Sequence, residues 1–135
     1  MRYTPTDTEL NMLQTASLDE RFMYAITRMV ECEEVWSLGD EDGWTVHELD
    51  GSNVIPIWPY QALAENYAAN NKADLLPQST SLEQFIYSLL EQCTAAEIEL
   101  DILPSNSYPG KRLTAAALYD VLHNMLDTGQ YFLEG

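Results

Sequence analysis

"VWSLGDEDGWTVHELDGSNVIPIWPY", residues 35–60, decides the fold, because here the spacing of apolar residues changes from helical to extended. "VWSL", "WTVHEL" and "NVIPIWPY" are rich in β-branched and aromatic residues, and "GDEDG" and "DGSN" between them are dense in turn formers. The economical reading is a three-stranded meander. Asp42-Gly43 is a strong hairpin turn, and the acids beside it keep the turn solvated. Pro56 has no N–H to give to a ladder, which puts the third strand at an edge or a bulge at that point.

Outward from this stretch the pattern is helical. "TDTE" (Thr6 to Glu9) and "SLDE" (Ser17 to Glu20) have the capping-box form, so a short helix and then a longer one begin there. In the longer one Leu18, Phe22, Ile26 and Val30 recur every four residues, and it is expected to end near Glu33. After the extended region, "QALAENYAANN" reads as a helix and "KADLLPQST" as a connector. "SLEQFIYSLLEQC" carries Leu82, Phe85, Ile86, Leu89, Leu90 and Cys93 at helical spacing, with Ser81 and Gln84 as a capping box. "IELDIL" alternates Ile98, Leu100 and Ile102 against Glu99 and Asp101, the pattern of a strand with one wet face.

The last helix runs from about Thr114 to Asp127, with Gly129 placed to stop it. The order is α-α-β-β-β-α-α-β-α. Because the strands come in a run, the expected class is α+β: a small, mostly antiparallel sheet, made of the three-stranded meander plus one later strand, with helices packed on one face. Phe22, Ile26, Leu82, Phe85, Ile86, Leu89, Leu118, Val121 and Leu122 are the expected core.

A chain of 135 residues with 46% hydrophobic content supports one core, so residues 1–135 read as a single acidic domain. Its 22 acids against six bases give a net charge of −16. Such a surface repels phosphates and anionic lipid, which argues against direct binding to nucleic acid or to a membrane. "MRYTPTDTEL" has no apolar run or cleavage site of a secretory signal, and no segment approaches eighteen apolar residues. A cytoplasmic protein with reduced cysteines is expected. Cys32 and Cys93 both fall on apolar sides of helical patterns and read as buried thiols, with a disulfide between them left open.

"LDERFMYAITRMVECEEVWSLGDEDGW", then "VIPIWPYQALAENYA", then "SLEQFIYSLL" resembles the small bacterial proteins grouped as domain of unknown function 2750. These are similar in having an aromatic helix, a "vW.L.d.dGw" hairpin, a "P.WP" strand, a helix and a "sl..F...l" helix, in that order. The resemblance covers roughly residues 18 to 105. Where a further tryptophan is common in that pattern, this chain has "NNKADLLP". The resemblance implies a placement and no activity.

The chemistry of the residues narrows the function classes. Asp40, Glu41, Asp42 and Gly43 do not fit a calcium loop, which needs ligands at alternate positions and glycine sixth. His47 and His123, the two imidazoles, stand without the cysteine pairs that a zinc site requires. No metal and no cofactor is expected, and "GDEDG" would repel a phosphate.

Trp36, Trp44 and Trp58 all fall in the extended region, with Tyr60 beside the last. Either they form a core cluster under the helices, or they form a partly exposed aromatic patch ringed by acids. Glu31, Glu33 and Glu34 at a helix C-terminus oppose its dipole, at roughly a few tenths of a kcal/mol each.

The candidate partner-binding residues are therefore Glu33, Glu34, Trp36, Asp40, Glu41, Trp44, Trp58 and Tyr60. The favoured function is a non-enzymatic protein, monomer or weak homodimer, whose acidic meander engages a basic protein. One alternative is a small enzyme using paired carboxylates in a cleft between sheet and helices. Another is an inhibitor acting as an immunity protein or a nucleic-acid mimic.

Overall fold

The computed structural model describes residues 6–71, 74–106 and 108–127. Helix α1 (Asp7–Thr15) starts where Thr6 Oγ1 accepts from the Glu9 N–H at 3.2 Å. Helix α2 (Leu18–Cys32) starts with both halves of the Ser17–Glu20 capping box, at 3.1 and 2.9 Å. It buries Phe22, Ala25, Ile26, Met29 and Val30 and ends at Glu33. That residue takes the left-handed conformation, φ 54°, and returns its N–H to the Met29 and Val30 carbonyls.

The class is α+β, built on two sheets. In the first, β1 (Glu34–Asp40) lies between β2 (Gly43–Trp44) and β5 (Leu76–Ser81), antiparallel to both. The second has the order β3 (His47–Leu49), β4 (Ser52–Ile57), β6 (Glu99–Ile102), β7 (Lys111–Thr114), with a parallel pair at β4 and β6. The sheets meet where Trp36 and Trp58 exchange backbone hydrogen bonds at 2.9 and 2.8 Å. Beside them the Ser37 hydroxyl donates to the Pro56 carbonyl at 2.6 Å, fully buried.

This junction corrects the meander. "WTVHEL" is two strands in two sheets, because β2 cannot continue along β1. The pairs Asp40↔Gly43 and Gly39↔Trp44 extend to one more bond, Thr45 N–H to the Leu38 carbonyl at 3.0 Å. Further along that edge the positions at Ser37 and Trp36 are taken by Pro56 and Trp58. The chain therefore peels away and forms a separate hairpin, His47↔Val54 to Leu49↔Ser52.

The expected connector "KADLLPQST" contains β5, which pairs with β1 from Glu34↔Ser81 to Gly39↔Leu76. Pro77 stands opposite Leu38, whose carbonyl is bonded to Thr45 on the other edge, so the missing N–H is not needed in the ladder. Pro56 is accommodated for a related reason. β3 covers β4 only as far as Val54, and the next edge position is filled by the Ser37 side chain.

Val35 to Gly39, Val54 to Ile57 and Leu100 to Ile102 are buried without alternation, which requires cover on both sides. Asp101, expected on a wet face, is 8% exposed. Helix α3 (Gln61–Asn71) brings Tyr67 to 5.2 Å from the Trp58 ring.

After β5 a helical rod consists of α4 (Leu82–Gln84), a π-helical segment (Phe85–Leu89) and α5 (Leu90–Ala96). Ser81 Oγ caps its start, and the Leu90 N–H reaches back to the Phe85 carbonyl. The wider π turn moves the stripe, so Leu89 is half-buried while Leu90 takes the core place. Helix α6 (Ala115–Asp127) begins with the Ala117 N–H on Thr114 Oγ1 and buries Leu118 and Leu122, leaving Val121 half-buried. Gly129 lies outside the described residues.

Urea unfolding should rank these sites. Leu90→Ala should cost about 2–5 kcal/mol, and Leu89→Ala distinctly less. Ser37→Ala, which orphans the buried Pro56 carbonyl, should cost about 1–3 kcal/mol. Equal losses at Leu89 and Leu90 would contradict the π-shifted core.

Candidate functional site

The tip of the first hairpin is built from Asp40 to Gly43. Asp40 pairs with Gly43, so the loop residues are Glu41 and Asp42, and not Asp42-Gly43 as the dipeptide suggests. Asp40 Oδ1 accepts from the Asp42 N–H at 2.9 Å, and its carbonyl accepts from Gln78 Nε2 at 2.6 Å. Gly43 has φ +114°, and a side chain on Gly39 would collide with the Gly43 carbonyl. Asp40, Glu41 and Asp42 are exposed, whereas Glu33 and Glu34 are half-buried, Glu34 accepting from Trp36 Nε1 at 2.8 Å.

The aromatic candidates do not form a surface with these acids. Trp36, Trp58 and Tyr60 are 5%, 1% and 2% exposed, and Trp58 Nε1 donates to the Pro104 carbonyl at 2.8 Å. They are core residues on the junction between the sheets. Trp44 alone of the four is half-exposed. Its indole N–H donates to the Gln78 carbonyl at 3.1 Å, and its ring lies 6.0 Å from Phe85. Of the sequence candidates the structure thus brings Asp40, Glu41 and Trp44 together at one hairpin and withdraws the other aromatics from contact.

Trp44 walls a cleft of about 450 Å³ between the hairpin and the helical rod. Its floor is the buried Ile55, Phe85, Cys93 and Leu100, and Asp42, Gln78 and Gln92 stand around it. Asp42 is the single acid among the described residues that line it, so paired carboxylates do not meet there. Burial raises the Cys93 thiol above its ordinary range, which keeps it protonated and unreactive. Cys32 is exposed, contrary to its expected place, because it ends α2 where the chain turns out at Glu33. Both cysteines are free.

A second recess, about 570 Å³, runs between the rod and α6. Ile86, Leu90, Ala95 and Ala116 line it, with Tyr87 and Tyr119 as aromatic walls and Glu91 and Asp120 as its acids. The two tyrosine rings meet edge to face at 6.5 Å, and Tyr119 stacks on His123 at 5.4 Å. Tyr87 is 50% exposed. Part of the sequence signal for this groove was present: Tyr87 falls off the apolar stripe of its helix, where a large aromatic side chain must face outward, whereas Tyr119 keeps helical spacing with Ala115 and Leu122 and is half-buried.

Cations are placed elsewhere. Arg28 holds Glu9 and Glu31, Lys111 holds Asp19, and Arg112 bridges Asp50 and Glu99. Arg21 is buried, donating to the Leu13 and Ala16 carbonyls with Tyr108 beneath it. None of these four lines either recess. Among the described residues no three His, Cys, Asp or Glu side chains converge on a metal position, and no helix is long and apolar enough to cross a membrane.

Asp101 is the anomalous acid. Burial holds its carboxyl above the usual range against the pull of Arg112, and its Oδ1 has no hydrogen-bond partner among the described residues. A raised folded-state pKa means that stability present below the unfolded pKa is lost as pH rises through the folded value. Asp101→Asn should therefore unfold at higher urea than the parent at neutral pH. The gain should shrink as pH falls below the ordinary carboxyl pKa of about 3.9, where the parent carboxyl becomes protonated in the unfolded state as well. A gain that grows on acidification would show that Arg112 dominates instead.

No curated protein matches the chain with significance. Residues 22–122 match the profile of a family described as "Protein of unknown function (DUF2750)". The match runs from within α2 to within α6 and takes in both sheets, and the chain belongs to this family.

Proposed function

We propose that this protein is a non-enzymatic binding protein that takes a basic segment of a protein partner in the groove between α5 and α6. The observation that supports this reading most is the combination found there: an apolar floor, two aromatic walls, acids at Glu91 and Asp120, and no basic side chain among the described residues. Each component has a distinct task. Tyr87, Ala95, Ala116 and Tyr119, exposed or half-buried over the buried Ile86 and Leu90, give the apolar area that a helix or extended segment covers on docking. Tyr87 and Tyr119 offer ring faces to Lys or Arg side chains. The net charge of −16 speeds encounter with a basic surface, and the exposed Asp40, Glu41 and Asp42 contribute to that field without forming an anchor.

This differs from the acidic tryptophan patch in where the anchors sit. Trp36, Trp58 and Tyr60 hold the sheets together, so the aromatic contact comes from tyrosines on helices. The hairpin acids steer, and the groove holds.

The test separates field from groove. An amphipathic Leu/Lys helical peptide and a scrambled peptide of equal charge should both bind more weakly as salt rises. Tyr87→Ala and Tyr119→Ala, which leave charge unchanged, should each weaken the amphipathic peptide by about tenfold, equivalent to about 1.4 kcal/mol, and leave the scrambled one unaltered. Asp40→Asn with Glu41→Gln should slow association and flatten its salt dependence, with little change in the dissociation rate. Tyrosine variants that bind both peptides like the parent would remove the groove from the function.

A further inference from the structure

We propose that the cleft beside Trp44 is a second, separate binding site, for a small organic cation with an apolar body such as an aromatic or short-chain ammonium. Its volume of about 450 Å³ falls within the range that encloses small ligands. Its accessible apolar lining is Trp44, Leu89, Ala96 and Ile98, backed by the buried Ile55, Phe85, Cys93 and Leu100, so an occupant would lie on a firmly packed surface.

The walls are held in advance. The Trp44 indole is fixed at its N–H by the Gln78 carbonyl and packs toward Phe85, so no rotamer freedom is lost when a ligand lies against it. Across from it, Leu89 belongs to the π-helical segment, an irregularity often retained where a helix serves a site.

The choice of a cation follows from charge. Asp42 lines the cleft, with Asp40 and Glu41 exposed next to it on the same hairpin tip. Arg21, Arg28, Lys111 and Arg112 are each engaged outside it. An anion would meet uncompensated negative potential at the mouth, whereas an ammonium would be attracted there while its body replaced water against Trp44, Leu89 and Ile98. Gln78 and Gln92 add neutral polar groups for orientation.

The experiment titrates the full chain, at fixed ionic strength, with benzyltrimethylammonium, benzyl alcohol and benzoate, and follows the Trp44 indole and the Leu89, Ile98 and Leu100 methyl signals by NMR. Benzyltrimethylammonium should shift these signals saturably, about fivefold tighter than benzyl alcohol, with benzoate weaker than both. Asp42→Asn should bring the cation down to the affinity of the neutral probe, and its backbone N–H can still serve the Asp40 turn. Ala96→Phe, at an exposed position lining the cleft, should block both probes. Tyr87→Ala should change nothing here, so this proposal and the groove reading fail independently. Equal binding of cation and anion, shifts that map elsewhere, or Asp42→Asn with undiminished cation preference would each overturn it.

Discussion

The bridge between Trp36 and Trp58 is the contact on which the rest of the molecule depends. Without it, each sheet would present a buried edge with unpaired amides and carbonyls, and buried backbone groups of that kind cost free energy comparable to a lost hydrogen bond. Two backbone bonds and the Ser37–Pro56 contact close that edge. Several features elsewhere follow from this closure. β2 stops at Trp44 because the next places on β1 are taken, and Pro56 is tolerated because at that edge its carbonyl accepts from the Ser37 hydroxyl and no N–H is called for. The two indoles fall on one face because directly opposed residues in an antiparallel bridge point the same way.

From that closure comes one wall of the cleft beside Trp44. Holding β2 against β1 fixes Trp44, and Trp44 sets one wall of the cleft. The π turn sets the other, because a wider turn displaces successive side chains around the axis. Phe85 and Leu89 face the hairpin side, and Ile86 and Tyr87 face α6. One five-residue irregularity thus supplies residues to both sites.

Local chemistry made the helices legible. Ser17 and Glu20 form the full capping box that their spacing implies, Thr6 and Ser81 form the side-chain half of theirs, and Glu33 ends α2 where the period changes. The α+β class and the family were legible too, from the run of strands and from the tryptophan-bearing pieces. What escaped was pairing. β5 is Leu-Pro-Gln-Ser-Thr-Ser, without apolar alternation, and it is a strand because β1 has an edge to satisfy, a demand that lies some forty residues away in the chain. The break at Thr45-Val46 is likewise imposed from Trp58. The aromatic candidates failed in part for the same reason: a tryptophan in a strand signals packing, but which face is covered depends on helices the local pattern does not reveal. Asp101 looked wet by alternation and is dry because α3 and the β6–β7 hairpin cover that side.

Charge completes the argument, and it works by subtraction. An excess of acids spread evenly would make a uniform field with no address. Here each described cation is used as a tie: Arg21 holds the Leu13 and Ala16 carbonyls, Arg28 joins α1 to α2, Lys111 joins β7 to α2, and Arg112 joins β7 to the β3–β4 turn and to β6. Exposed pairs of this kind are each worth little, yet they neutralise the acids they touch. The acids left uncompensated include Asp42 at one recess and Glu91 and Asp120 at the other. Both lie against apolar, low-dielectric walls, where a given charge acts more strongly than on open surface. The address for a cation is therefore set by where the few basic residues have been committed, and both recesses fall outside those places.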